Sequence, residues 1–393
     1  MEVHMHLTRL LAVAMFASAA TTGVAADGRP ESDDPRDYWD FKELSVAPSF
    51  RANPHPESDF AGLKALLVKG RGPKGAEAEF FCYYGTPDGA MPAKGWPGVV
   101  LAHGGGGTAY PQYAKQWARL GFAVLALDWY NRRPAMGLTN EAPTQVNVPR
   151  VELPGGKRQD HVANVANMIL AHSLLRSFPE VDKDRTCFVG LSWGSWYGTC
   201  VAAVDDRFRG CVEIYCGDYR PERKEIVNGR FLPKAKIPMW WTVSTNDQNV
   251  WPHTSNAGFA ACAKFAGVAL VNRLPHSHVG FEFDSVHRMA KHFTGSAKTL
   301  PRLGEPVVKD GTVSADILDE GEGVTKTWLC YTTSDVKPTY KRKWEKTAAT
   351  RTGRTVSAKV PDGTVQCYLA AEERESRFHD LRGTTPFIDI ADK

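Results

Sequence analysis

Between residues 97 and 293 the chain alternates short, almost wholly apolar runs with longer segments of helical period. The apolar runs are 97–102, 122–127, 186–189, 211–215, 237–243 and 269–274; residues 109–120, 159–176, 193–203, 254–265 and 282–293 read as helices between and after them. Strands with no polar alternation are buried on both faces. Strands that alternate with helices form a mostly parallel sheet covered on both sides, an α/β architecture. Upstream, residues 63–68 and 78–84 flank a Gly70-Arg71-Gly72-Pro73 turn and predict an antiparallel hairpin at a sheet edge. Two stretches break the alternation: 131–158 is polar and rich in Pro and Gly, and 217–236 is charged and irregular. Each follows the C-terminal end of a strand, where open α/β sheets bind ligands. They read as loops bordering a site, with plain surface loops as the alternative.

From about residue 306 the texture changes. Short strand candidates at 313–318, 325–332, 355–359, 365–370 and 386–390 are split by Gly, Pro and Asp turns. This predicts a small β-sandwich-like module. At the other end, Arg9 precedes an apolar segment over 10–20, and Val24-Ala25-Ala26 offers small residues for cleavage. The pattern is that of a secretion signal cut near Ala26, the apolar run being too short for a comfortable membrane span. The expected organisation is a signal peptide over 1–26, an extended lead-in over 27–60, an α/β domain over 61–303 and a β-rich module over 304–393. An uncleaved N-terminal anchor is the rival reading. No later stretch is apolar enough to cross a membrane, so the mature chain is expected to lack a transmembrane segment.

Composition adds little to this picture. A net charge of +4 from 48 basic and 44 acidic residues is small and scattered, and gives no reason to expect a nucleic-acid partner. Of the eight cysteines, most sit inside apolar strand or helix patterns, where a buried free thiol is the simple reading. Cys330 and Cys367, both in strand-like runs of the tail, are the best disulfide candidates of an exported chain.

The chemistry gathers at four strand ends. The run 186–189 leads into Gly190-Leu191-Ser192-Trp193-Gly194, and a helix follows at once. A Gly-x-Ser-x-Gly turn between strand and helix is tight enough to need small residues on both sides, and it lifts the serine hydroxyl clear of the backbone. A serine nucleophile also needs a base, an acid to orient that base, and N–H donors for the oxyanion. His103-Gly104-Gly105-Gly106-Gly107 follows the strand at 97–102; glycines let backbone N–H groups face a ligand, and Gly105 or Gly106 would act with Trp193. A phosphate loop would continue with Gly-Lys-Ser/Thr, which is missing here. His103 itself is expected to shape the loop.

Thr245-Asn246-Asp247 follows the strand at 237–243, between serine and histidine in chain order, and makes Asp247 the favoured acid, with Asp218 in reserve. The simpler role of either is an Asx turn or a cap. Leu274-Pro275-His276-Ser277-His278-Val279-Gly280-Phe281 follows the last strand of the α/β region; His278 is the favoured base and His276 the reserve. His-x-His also raises metal binding, but no third ligand stands convincingly beside the pair, so neither metal nor cofactor is expected. His287 and His292 fall on different faces of the last helix and read as surface residues.

These stretches together resemble the α/β-hydrolase superfamily over about residues 97–293. Val99-Val100-Leu101-Ala102-His103-Gly104-Gly105-Gly106, Gly190-Leu191-Ser192-Trp193-Gly194, Asp205-Asp206-Arg207-Phe208, Thr245-Asn246-Asp247 and Pro275-His276-Ser277-His278 carry the resemblance. Within the superfamily the chain is similar to secreted acetyl xylan esterase-like and prolyl oligopeptidase-like hydrolases, near the dienelactone hydrolase group. The resemblance implies Ser192 as nucleophile, Asp247 as acid and His278 as base. The tail matches only loosely, as an accessory β module. Ser195 stands where many members carry a second glycine, which implies a slight adjustment of the elbow.

The resulting expectation is an exported serine esterase, acting on a small-molecule or polysaccharide ester, an acetyl group on a plant polysaccharide being the substrate the resemblance implies. A peptidase with the same triad is one alternative; the stretch between residues 27 and 97 is too short for the propeller that such peptidases carry. A glycan-binding protein with an inactive core is the other. Lys337, Lys341, Arg342, Lys343 and Lys346 around Tyr340 and Trp344 would then contact an acidic glycan, unless they form a solvated charged face.

Overall fold

Alternate side chains of the central strands face two separate cores, which is why the runs carry no polar period. A computed structural model of the chain describes residues 32–53, 62–129, 160–216, 219–220, 226–374 and 381–390. The expected signal peptide, the 131–158 loop and Asp218 lie outside these. The α/β region comprises α1 (Phe41–Leu44), β1 (Phe50–Ala52), β2 (Lys64–Arg71), β3 (Glu77–Gly85), β4 (Trp96–Ala102), α2 (Pro111–Arg119), β5 (Ala123–Asp128) and α3 (His161–Leu175). It continues through β6 (Val181–Leu191), α4 (Trp193–Val204), β7 (Gly210–Ile214), β8 (Met239–Ser244), α5 (Pro252–Ala261), β9 (Phe265–Val271) and α6 (Asp284–Phe293). The strands stand in the order β1-β2-β3-β5-β4-β6-β7-β8-β9. From β5 to β9 every pairing is parallel, and β1, β2 and β3 add the expected antiparallel hairpin and one further edge strand.

The strand period of two divides the core. On β4, Val100 and Ala102 join the cluster under α3, α4 and α5, while Val99 and Leu101 join the one under α2 and α6. On β8, the neighbours Trp241 and Trp240 face opposite cores, both fully buried. Truncating either to alanine would cost about 3–5 kcal/mol. Helix starts are set locally: Pro111 and Pro252 open α2 and α5, and the Asp160 carboxylate caps α3 by accepting from the Ala163 N–H at 2.8 Å.

The tail holds β10 (Arg302–Leu303), β11 (Val307–Lys309), β12 (Thr312–Asp319), β13 (Lys326–Thr332), β14 (Glu345–Ala348), β15 (Thr350–Thr352), β16 (Thr355–Lys359), β17 (Gln366–Arg374), β18 (Leu381–Thr384) and β19 (Ile388–Asp389). One tail sheet runs β10-β12-β16-β15, with β11 beside β12. The other runs β18-β17-β13-β14 and continues the main sheet, because Thr384 on β18 pairs with Val268 on β9. A third apolar cluster, with Val313, Ile317, Val356 and Leu369, lies between the two sheets.

Three expectations need correction. Residues 27–60 are not extended throughout: Asp40 caps the short α1, and Trp39 and Leu44 are buried in the main core. Cys330 and Cys367 are free thiols, as are the other six cysteines. They stand on paired strands one register step apart, Cys330 opposite Tyr368 and Cys367 opposite Tyr331. One step in a strand reverses the face, so the two sulfurs point into different cores. His287 is not a surface residue: it is buried on α6, donates from Nε2 to the Phe281 carbonyl at 2.7 Å and meets Trp117 edge-on.

Candidate active site

Ser192 stands at the end of β6 with φ 54° and ψ −113°, a conformation side chains rarely adopt. Two glycines permit the turn. A Cβ at Gly190 would lie 2.6 Å from the Gly194 carbonyl oxygen, and one at Gly194 would lie 2.1 Å from that of Ala102. Ser195 fits without a second glycine. Its buried hydroxyl accepts from the Ile214 N–H at 3.0 Å and lies 2.8 Å from the Gly190 carbonyl oxygen, tying the elbow to β7. Ser192 is also the residue that precedes α4, yet its hydroxyl caps no helix N–H. Oγ points instead to a histidine, and the first turn of α4 directs its partial positive charge at the same place.

That histidine is His276. Its Nε2 lies 2.8 Å from Ser192 Oγ and its Nδ1 2.7 Å from Asp247 Oδ2. A carboxylate at Nδ1 fixes the proton there, so Nε2 offers its lone pair to the serine hydroxyl. The ring stacks on Tyr215 at 4.6 Å, with its side chain 20% exposed. Asp247 is buried and serves two ends. Oδ2 faces His276, while Oδ1 accepts from the N–H groups of Asn249 at 2.7 Å and Val250 at 3.2 Å. The Asx turn and the acid's role at His276, alternatives in the sequence, coexist on one carboxylate. Next to it, the Asn246 amide donates to the carbonyls of Tyr340 and Arg342, both at 2.8 Å, so the tail braces the acid loop.

His278, the favoured base, is not the residue at the serine. Its Nε2 accepts from the Gly104 N–H at 3.1 Å, and its Nδ1 lies 3.4 Å from the Tyr110 hydroxyl. Burial pushes this imidazole down to about 3, with the nearby His103 and His276 acting in the same direction. A ring whose lone pair is already engaged and whose proton affinity is this low is a poor general base near neutral pH. His276 therefore takes the position expected for His278.

The glycine loop comes to the serine as expected. A Cβ at Gly104 would lie 3.1 Å from Ser192 Cβ, and one at Gly105 would lie 2.5 Å from Trp193 Cδ1. Among the described residues, the N–H groups of Gly105 and Trp193 have no hydrogen-bond acceptor. Gly106 turns the loop with φ +74°. His103 is buried and shapes the loop: Nδ1 donates to the Gly104 carbonyl at 2.7 Å, Nε2 lies 3.3 Å from Asp128 Oδ1, and Trp129 stacks on the ring. Of the residues that the motifs did not single out, Trp129, Tyr215 and Asn246 sit just beyond the ends of β5, β7 and β8, and Tyr110 immediately precedes α2. Strand ends alone could have nominated Trp129, Tyr215 and Asn246. Among the described residues no group of three or more His, Cys, Asp or Glu is arranged to hold a metal ion, and no helix is long and apolar enough to cross a membrane.

The Asp205-Asp206-Arg207-Phe208 stretch lies away from the serine. Asp205 is fully buried, takes Nδ1 of His172 at 2.7 Å and a two-pronged contact from Arg207 at 2.8 and 2.7 Å, and joins α3 to the end of α4. It is part of the scaffold.

No curated protein matches the chain. Among solved structures, the acetyl xylan esterase from Paenibacillus sp. R4 is 20% identical, with 66% of this chain and 94% of that one covered and a TM-score of 0.48. Acetyl xylan esterase 1 from Thermoanaerobacterium sp. JW/SL YS485 is 17% identical, covering 70% and 95% with a TM-score of 0.43. A cold-adapted esterase from an Arctic intertidal metagenomic library is 18% identical, covering 63% and 99% with a TM-score of 0.41. Residues 80–258, which include Ser192 and Asp247, match the dienelactone hydrolase family, and the chain has the fold of an α/β-hydrolase.

Proposed function

We propose that the protein is a serine hydrolase that cleaves a carboxylic ester through Ser192, His276 and Asp247. The observation that carries this reading is the single ring bridging a serine hydroxyl at 2.8 Å and a buried carboxylate at 2.7 Å. Ser192 Oγ attacks the acyl carbon while its proton moves to His276 Nε2. The imidazolium formed faces Asp247, which stabilises it without taking the proton. The oxyanion meets the N–H groups of Gly105 and Trp193, each worth about 10²–10³ in rate. Collapse of the tetrahedral intermediate breaks the bond to the alcohol oxygen, which leaves with the proton from His276. Water repeats the sequence on the acyl-enzyme, its proton going to His276 and then to Ser192 Oγ.

The proposed substrate is a small acyl ester, an acetyl group on a carbohydrate being the first class to test. Trp193, which follows the nucleophile and stacks on His161, and the exposed Trp251, which follows the acid loop, are the aromatic side chains to test for sugar stacking. Export after cleavage near Ala26 belongs to the same proposal and rests on Arg9, the apolar run and the small residues that follow. Sequencing the mature N-terminus from cell fractions tests it.

Turnover of p-nitrophenyl acetate and of acetylated xylo-oligosaccharides, set beside a matched peptide amide, tests the activity. Esters should turn over and the amide should not. Ser192→Ala should be inactive, and a fluorophosphonate should label Ser192. Unchanged ester turnover in Ser192→Ala would refute the reading.

A further inference from the structure

We propose that His278 is a positioning residue that sets the oxyanion loop, holding the Gly104 N–H so that the Gly105 N–H stays turned toward the nucleophile. This deepens the serine hydrolase reading and rests on it.

The loop from Gly104 to Gly107 is four glycines in a row, with no side chain of its own to fix it. Its peptide groups must be held from outside, because a flipped peptide would present a carbonyl where an oxyanion forms. The peptide between His103 and Gly104 is pinned at both ends. Its carbonyl accepts from Trp129 Nε1 at 2.7 Å, and its N–H donates to His278 Nε2 at 3.1 Å. The next peptide is pinned at its carbonyl, which accepts from His103 Nδ1 at 2.7 Å and from the Gly107 N–H at 3.0 Å. In a trans peptide the carbonyl and the following N–H point in opposite directions. The Gly105 N–H is therefore aimed away from those two donors. His278 supplies the anchor that comes from the base-bearing loop, so the segment that carries His276 also sets the oxyanion donors.

The fit is close. A Cβ at Gly107 would lie 2.5 Å from His278 Nε2 and 2.8 Å from His103 Nδ1. Tyr110 holds the far side of the ring, at 4.7 Å between centroids. Because Nε2 accepts from Gly104, the ring proton sits on Nδ1, facing the Tyr110 hydroxyl. His278 thus acts as an acceptor with a defined tautomer, and takes no part in the proton transfer.

The experiment compares His278→Leu, which has no acceptor, with His278→Gln, whose amide oxygen can accept from Gly104. Both are made in the full chain and assayed with p-nitrophenyl acetate and a trifluoromethyl ketone analogue, with thermal unfolding alongside. His278→Leu should keep KM within about threefold and lower kcat roughly 10–100-fold, short of the loss for a whole oxyanion donor. Its affinity for the ketone, which forms a bound oxyanion, should fall in parallel with kcat. His278→Gln should recover most of both, and the acid limb of kcat/KM should not move in either variant. If His278→Leu unfolds, His278→Met replaces it as the acceptor-free variant. The proposal is overturned if the acceptor-free variant keeps kcat within twofold. It is equally overturned if a folded His278→Gln is no better, or if the acid limb disappears. His276→Ala in the same series separates the two levels: if it retains full turnover, the triad reading fails, whatever His278 does.

Discussion

Replacing Asp247 by asparagine isolates one hydrogen bond. Oδ1 of Asp247 accepts from the N–H groups of Asn249 at 2.7 Å and Val250 at 3.2 Å. An asparagine must keep its oxygen on that side, since an amide NH2 there would meet two donors. Its NH2 then faces His276 Nδ1, where the carboxylate oxygen now stands at 2.7 Å. The ring can answer only with a lone pair at Nδ1, so its proton moves to Nε2. Ser192 Oγ, 2.8 Å away, then meets a donor in place of a base. A wrong tautomer of this kind costs ~10⁴ in kcat, or about 5.4 kcal/mol at about 1.36 kcal/mol per decade. The fold should hardly respond. Both loop N–H groups keep their acceptor, so Tm should stay within about 3 °C of the parent. The assay is p-nitrophenyl acetate at saturation, with thermal unfolding of the same sample. A kcat within tenfold of the parent and an unchanged Tm would falsify the claim that Asp247 sets the tautomer. A large fall in Tm would show instead that the Asn249 and Val250 contacts had been lost.

Further outcomes follow from the same geometry. Gly194→Ala places a Cβ 2.1 Å from the Ala102 oxygen, so β4 and α4 must separate; denaturant unfolding should show a loss of about 2 kcal/mol or more, with kcat falling too. Burial holds His172 and His287 down to about 4, against about 6.5 in an unfolded chain, so the unfolded state binds more protons between these values. Stability should therefore fall as pH drops from about 6.5 to about 4, by up to a few kcal/mol, and a Tm flat across that window would refute this. Burial pushes Glu213 up to about 8, well above its unfolded value near 4.3, so here the folded state holds the extra proton. The contribution of Glu213 should fall as pH rises from about 4 to about 8, and Glu213→Gln should gain on the parent across that range, read as a widening difference in Tm.

The parallel sheet was legible because its physics is local. Runs such as Val99-Val100-Leu101-Ala102 are buried on both faces and show no polar alternation, while α2 and α6 keep a helical period. The strands that went unread are short or exposed: β1, β14 and β15 have no buried residue, so no apolar pattern marks them. Leu381–Thr384 is fully buried but reads Leu-Arg-Gly-Thr, and its place is set by Val268 on a distant strand. Its Arg382 is accommodated by Glu372 on β17, at 3.3 Å.

The two histidines show where reading from the sequence stops. Ser192, Asp247 and the glycine loop each follow a strand whose end is marked by composition, and each falls where the spacing put it. The last strand looked longer than it is, because Leu274 is apolar and buried. The strand ends at Val271, and Arg273 then takes φ 56°, turning the chain before Pro275. Leu274 is therefore a loop residue anchored in the core, and the segment reaches the serine earlier than a strand running to 274 would allow. Beyond Pro275 there is no strand or helix period to assign faces, so residues two apart need not share a direction. Tyr215, itself at φ 70°, gives His276 a ring to stack on, and Gly104 gives His278 a donor. Both partners come from segments remote in sequence. What divides the roles is a lone pair: the Nε2 that faces Ser192 is open to a proton, and the Nε2 that faces Gly104 is already engaged.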